Sequence, residues 1–214
     1  LLEVMGIPYT GPDVRCAAVT MDKISTKQVL RGHADIEMVR DWICEKDKGI
    51  PEDIIFPAVV KPSVGGSTIG IRKVESVAEL EEAIEEAFSF HHEVLVETFV
   101  AGDEITVAVF DGKALPVVRI LPESGFFDFE AKYTDGKTVY EVPARIAPET
   151  AHAAQIAASA SYRLLNCRGL ARADFIVNEA GVPVFLELNT IPGMTETSLS
   201  PMAAAEAGTS FEIL

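Results

Sequence analysis

The spacing of apolar and polar positions divides the chain into short helices and strands with no internal repeat. Thr20 reads as the N-cap of a first helix, Met21–Arg31, which stops at Gly32. A second helical stretch covers Ile36–Lys48 and ends at Gly49. Phe56–Lys61 is a short apolar strand, joined through a Gly-rich turn to another, Ile69–Val74. Ser76-Val77-Ala78-Glu79 has the form of a capping box, whose hydroxyl and carboxylate take up the free N–H groups of a helix start. The Glu- and Ala-rich run behind it extends to Phe90.

Strands follow at Val94–Thr98 and Ile105–Phe110, and Asp111-Gly112 turns the chain into a further one, Ala114–Leu121. Glu123–Val142 has no period and is rich in Phe, Tyr, Gly and Asp, the composition of a lid or binding loop. Pro148–Cys167 is a long Ala-rich helix with Pro in its first turn. Ala173–Asn178 and Val182–Leu188 form a hairpin, and Met202–Ala207 begins a last helix. Hairpins mixed with helices in this order predict an α+β fold rather than a doubly wound parallel sheet. A boundary near Val100–Asp103 splits it into two lobes, 20–100 and 101–214, with room for a nucleotide between them.

Composition narrows the function. A chain of 214 residues, 48% hydrophobic and 24% charged, can bury real cores. The net charge of −15 argues against nucleic acid, which needs a clustered basic surface, but not against a nucleotide held by a few placed cations and a metal. Cys16, Cys44 and Cys167 contain no C-x-x-C pair and suggest neither zinc nor a disulfide framework; they read as buried thiols in a reducing cytosol. No run approaches the ~18 apolar residues of a membrane span.

The strongest chemical pattern lies in the hairpin Arg172–Asn178 and Phe185–Asn189. A turn at Ala180-Gly181 sets Asp174 opposite Glu187, and Asn189 falls on the same strand face as Glu187. Two carboxylates this close repel and call for a cation between them; with Asn189 they form an all-oxygen set suited to Mg²⁺ or Mn²⁺. The alternative is a solvated polar face with Phe175, Val177 and Leu186 turned inward. Lys61-Pro62-Ser63-Val64-Gly65-Gly66-Ser67-Thr68 places a Lys at a strand end before a loop of small residues, which can turn N–H groups toward phosphate or simply close a hairpin. Glu97-Thr98-Phe99-Val100 sits where one strand breaks before the next, and Lys132 and Tyr133 stand among aromatics in the expected lid. Thr190–Met194 follows the carboxylate strand directly, and Ser198 opens the last helix, whose N-terminus could receive a carboxylate or carry a plain cap.

Taken in order, Pro8–Gly11, Met21-Asp22-Lys23, Val60-Lys61-Pro62 with Gly65–Gly70, Glu130–Tyr133, Arg172-Ala173-Asp174 and Leu186–Thr195 resemble the D-alanine–D-alanine ligases over nearly the whole chain. The resemblance implies an ATP-grasp fold, with two α+β lobes holding ATP between antiparallel sheets, and ligation of two D-alanines through a D-alanyl phosphate. Lys23 and Lys61 would hold the ATP phosphates, assisted by Lys132 and the loop backbone at Ser67 and Thr68. Glu97, Phe99 and Val100 would frame the adenine and Glu104 the ribose. Asp174, Glu187 and Asn189 would hold two Mg²⁺ ions. Arg172 and the Gly193 N–H would stabilise an oxyanion, and Ser198 and Leu199 would receive the second substrate's carboxylate. Ser67 and Tyr133 belong to the implied catalytic set, and Tyr133 favours D-alanine over D-lactate as the second substrate, leaving D-serine open.

The resemblance further implies a cytoplasmic bacterial enzyme of peptidoglycan precursor synthesis, homodimeric when complete. The family carries an N-terminal substrate lobe with a Glu and a His, of which 1–19 would be the remnant, so the chain alone is expected to be inactive. A nucleotide-binding fragment that folds without catalysing is the competing expectation. The stretch 33–55 is shorter than the family's usual connection and lacks its expected strand.

Overall fold

The computed structural model describes residues 1–66, 69–122 and 138–214. Asp13 opens α1 (Val14–Met21) by accepting the Cys16 N–H at 2.7 Å. Asp22 opens α2 (Lys23–Leu30) in turn, accepting the Ser25 N–H at 3.0 Å. The helix expected at Met21–Arg31 is thus α2, capped by Asp22 rather than Thr20, and α1 before it was not expected. Thr20 is no cap: its hydroxyl donates back to the Cys16 carbonyl at 2.8 Å, inside α1.

The expected helix at Ile36–Lys48 is also corrected. This stretch contains β1 (Asp41–Glu45), with Trp42 and Cys44 buried between less buried neighbours. Its helix-favouring Glu and Lys residues are outweighed by pairing with β4 (Glu93–Thr98), in which Asp41 faces Glu97. With β2 (Ala58–Pro62) and β3 (Arg72–Val74) these form an antiparallel sheet in the order β1-β4-β2-β3. α3 (Val77–Ala87) covers one face, packing Leu80, Ala83, Ile84 and Ala87 on Val60, Val74, Val94 and Val96. Ser76 caps it as expected, while Glu79 reaches back to the Glu75 N–H at 2.8 Å.

The second sheet contains β5 (Asp103–Phe110), β7 (Val118–Pro122), β8 (Thr138–Glu141), β9 (Leu170–Val177) and β10 (Pro183–Asn189), ordered β10-β9-β5-β7-β8. The short β6 (Lys113–Ala114) pairs with β5, so the single strand expected at Ala114–Leu121 is two. β8 occupies part of the stretch expected to be loop; residues 123–137 of it, with Lys132 and Tyr133, lie outside the described residues, as do Ser67 and Thr68. Under this sheet α4 (Pro148–Leu164) lays Ala154, Ala157 and Ala158 against Val107, Phe175 and Phe185. Leu30 of α2 joins the same core. On the opposite face α5 (Leu199–Glu206) packs Leu199, Ala203 and Ala204 on Ala108, Val118 and Ile120. Period-2 alternation leaves Glu104 and Thr106 of β5 and Arg172, Asp174 and Ile176 of β9 on that same face.

The chain passes from one sheet to the other at Gly102. A Cβ there would lie 1.9 Å from the Val177 carbonyl oxygen, so only glycine fits.

Candidate functional site

A cleft lies between the two sheets. Val59, Lys61 and Glu97 line it from the smaller sheet, and Glu104, Arg172, Asp174 and Glu187 from the larger. Thr98 at the end of β4, with Phe99 and Val100 of the connection to β5, lines it as well. Of the expected nucleotide-binding residues that are described, Lys23, Lys61, Glu97, Phe99, Val100 and Glu104 thus meet in one cavity.

The cation side is built on the start of α2. The Ser63 hydroxyl donates to the capping carboxylate of Asp22 at 2.7 Å, and the Lys23 N–H donates to the Ser63 carbonyl at 2.9 Å. The Lys23 ammonium then donates to the Gly65 carbonyl at 2.8 Å, so the helix start and the Gly-rich loop are one unit. Burial pulls Lys23 below its ordinary value, against the nearby Glu187 carboxylate.

Lys61 donates to one oxygen of Glu97, and the buried Lys27 donates to the other. Lys27 also lies 3.6 Å from Asp41, which receives Arg31 at 2.8 and 2.9 Å. Burial alone would raise the Glu97 carboxyl, but the two ammonium groups outweigh it and hold it at about 2. Burial disfavours the charged form of Lys61, and Glu97 reverses this and raises it. Sequence reasoning missed Lys27 altogether. No local pattern marks it as buried, because its partners lie far along the chain at Asp41 and Glu97.

The anion side is the β9–β10 hairpin. Glu187 faces Asp174 as expected, but by a different route. Phe185 pairs with Phe175, and a bulge at Leu186 shifts the register before Glu187 meets Asp174. The bulge turns Leu186 into the cleft rather than into the core, where the alternative reading had placed it. Asp174 accepts from Arg172 Nε and Nη2 at 2.9 and 2.8 Å and from Asn189 Nδ2 at 2.8 Å. The Thr106 hydroxyl donates to it as well. Asn189 also donates to Glu187 at 3.4 Å, and turning its amide over would offer an oxygen beside both carboxylates. Burial opposes the charge on Arg172, yet Asp174 and, further off, Glu187 and Glu104 raise it. Asp174, Glu187 and a turned Asn189 make an oxygen-only set that fits a hard divalent cation.

Beyond β10, Gly193 and Ser198 are brought together: a Cβ on Gly193 would lie 2.9 Å from Ser198 Oγ. That hydroxyl does not cap α5 but accepts the Thr195 N–H at 3.0 Å. The Leu199 side chain belongs to the core under α5, so only its backbone N–H could meet a ligand.

Two α+β layers with lysines on one wall of the cleft between them and carboxylates on the other define an ATP-grasp fold. The family described as D-ala D-ala ligase C-terminus matches residues 30–214. The D-alanine–D-alanine ligase of Haemophilus influenzae (strain PittEE) is 42% identical over 100% of this chain and 74% of its own length. That of Syntrophotalea carbinolica is 45% identical over 100% and 70%. The solved D-alanine–D-alanine ligase of Bacillus anthracis complexed with ATP superposes with a TM-score of 0.84 at 34% identity, covering 98% of this chain and 68% of that one. The VanG D-Ala:D-Ser ligase of Enterococcus faecalis gives 0.87 at 35%, covering 99% and 64%. The chain belongs to the D-alanine–D-alanine ligase family. No helix among the described residues is long and apolar enough to cross a membrane.

Proposed function

We propose that the chain carries the ATP and metal site of an enzyme that joins two D-alanines for peptidoglycan precursor synthesis. The observation that carries this reading is the single cleft in which Lys23 and Lys61 face Asp174 and Glu187. ATP phosphorylates the carboxylate of one D-alanine; the amine of a second attacks the acyl phosphate, and phosphate leaves. Lys23 and Lys61 neutralise phosphate oxygens, while Phe99 and Val100 border the adenine and Glu104 the ribose. Asp174, Glu187 and Asn189 would hold Mg²⁺, expected as two ions, whose contribution is neutralising charge between phosphates during transfer. Arg172 has Nε and Nη2 committed to Asp174, which leaves Nη1 to meet a substrate oxygen. The Gly193 N–H joins it as a second donor, and Ser198 with the Leu199 N–H receives the second substrate's carboxylate. Lobes at 20–100 and 101–214, a cytoplasmic setting and a homodimer of the complete protein belong to the same reading.

The test is dipeptide formation by the complete protein with ATP, Mg²⁺ and D-alanine, followed by phosphate release, with D-serine and D-lactate as competing second substrates. ATP-dependent D-alanyl-D-alanine as the preferred product supports the reading. Preference for D-serine moves it to the neighbouring specificity, and no ligation with any of the three overturns it.

A further inference from the structure

Among the described residues, five side chains form one alternating row of charge running from the surface to the cleft. Arg31 is half exposed and pairs with Asp41; Asp41 lies 3.6 Å from Lys27; Lys27 donates to Glu97, and Glu97 receives Lys61 at the cleft wall. Side-chain exposure falls from 54% at Arg31 to 6% at Asp41, 2% at Lys27 and 3% at Glu97. Three cations and two carboxylates leave one positive charge over. Take away Lys27 and the row becomes two neutral pairs, Arg31 with Asp41 and Lys61 with Glu97.

Lys27 does not line the cleft, so it does not meet a nucleotide there. It acts through Glu97, by occupying the oxygen that Lys61 does not use. A Glu97 carboxylate with both oxygens open would draw the Lys61 ammonium wholly to itself, because an unshared buried charge is strongly attracted to its one partner. We propose that Lys27 is a positioning residue: by sharing Glu97 it holds the Lys61 ammonium toward the phosphates of a bound nucleotide and supplies the surplus charge at the cleft wall. The proposal rests on the ATP-binding reading above.

The complete protein with Lys27→Met is the first test. Each carboxylate keeps one cation in this variant, so no buried charge is orphaned. The KM for ATP is expected to rise about tenfold with kcat within about threefold, the pattern of lost ground-state binding. Affinity for adenosine, which has no phosphates, should change by less than about twofold. Lys27→Arg, which keeps charge and donor, should restore ATP affinity to within about threefold of wild type. Equal losses for ATP and adenosine, or an unchanged KM in a folded Lys27→Met protein, overturn the proposal and leave the ligase reading standing. Should Lys27→Met not fold, Asp41→Asn removes the competing acceptor from Lys27 and keeps the shape. Its KM for ATP should fall or hold, and a rise of about threefold or more overturns the proposal. A wild-type protein that binds no ATP overturns both.

Discussion

The two walls of the cleft solve opposite electrostatic problems. The smaller sheet buries cations beside a carboxylate, and Glu97 keeps its charge at 3% side-chain exposure only because two ammonium groups hold it. The larger sheet brings carboxylates together and holds Asp174 with Arg172, Asn189 and Thr106. On the proposed function Glu97 therefore matters first to folding and Glu187 first to chemistry. The difference comes from whether a charge is already matched by the protein or set out for a ligand.

The sharpest way to break this comparison is Glu97→Ala. It leaves Lys27 and Lys61 buried without their shared acceptor, and the expected loss of stability is about 4 kcal/mol by denaturant unfolding. The pH dependence should carry the same signature. The folded Glu97 carboxyl titrates at about 2, below its ordinary 4.5, so its stabilisation is present above 4.5 and lost as pH falls through 2. The gap between wild type and Glu97→Gln should shrink across that window by on the order of 3 kcal/mol. A gap that stays constant from pH 5 to pH 2 would mean the two lysines do not hold the carboxylate charged.

Glu187→Gln should do the reverse. Its carboxylate is partly exposed in the cleft and bonded within the described residues only by a long contact from Asn189. Turnover of ATP and D-alanine should fall about a hundredfold or more, since the proposed function uses this charge to hold the metal at the reacting phosphates. The unfolding midpoint should move little. A large stability loss with near-normal turnover would reverse the roles assigned to the two walls.

The sequence made these two walls legible to different degrees. The hairpin carboxylates could be paired from turn position alone, even though the true register reaches the pair through a bulge at Leu186. The lysine wall was half visible: Lys61 stands at a strand end before a Gly-rich loop and Lys23 came only through the family resemblance, but Lys27 looks like any lysine in a short polar helix. Its burial depends on β1, which local propensity reads as helix, because five residues with two buried side chains carry little periodic signal against charged flanks. Elements with local signatures, such as the Ser76 cap and the Ala face of α4, were readable for the opposite reason. What remained hidden was contact between residues tens of positions apart.

The join between the walls offers a smaller effect. Gly102→Ala forces a Cβ into the Val177 carbonyl, and backbone cannot swing aside as a side-chain tip can. About 2 kcal/mol of destabilisation is expected, with turnover falling further than stability because the two sheets are re-angled. Loss of stability without any change in the KM for ATP would show that the sheets keep their mutual placement without this close approach.

The smallest effect belongs to Arg31, and it tests the burial argument within one row of charges. Arg31 makes two good bonds to Asp41, better in geometry than the 3.6 Å approach of Lys27 to the same carboxylate. Yet its side chain is 54% exposed, so water already compensates for most of what the pair provides. Arg31→Ala should cost under about 1 kcal/mol, because Asp41 keeps Lys27 and the vacated edge is filled by solvent. Measured beside Glu97→Ala by the same unfolding assay, Arg31→Ala should cost severalfold less despite similar hydrogen bonding. If Arg31→Ala were as damaging as Glu97→Ala, the row would stand or fall as a unit, and depth of burial would no longer explain why the cleft end matters more than the surface end.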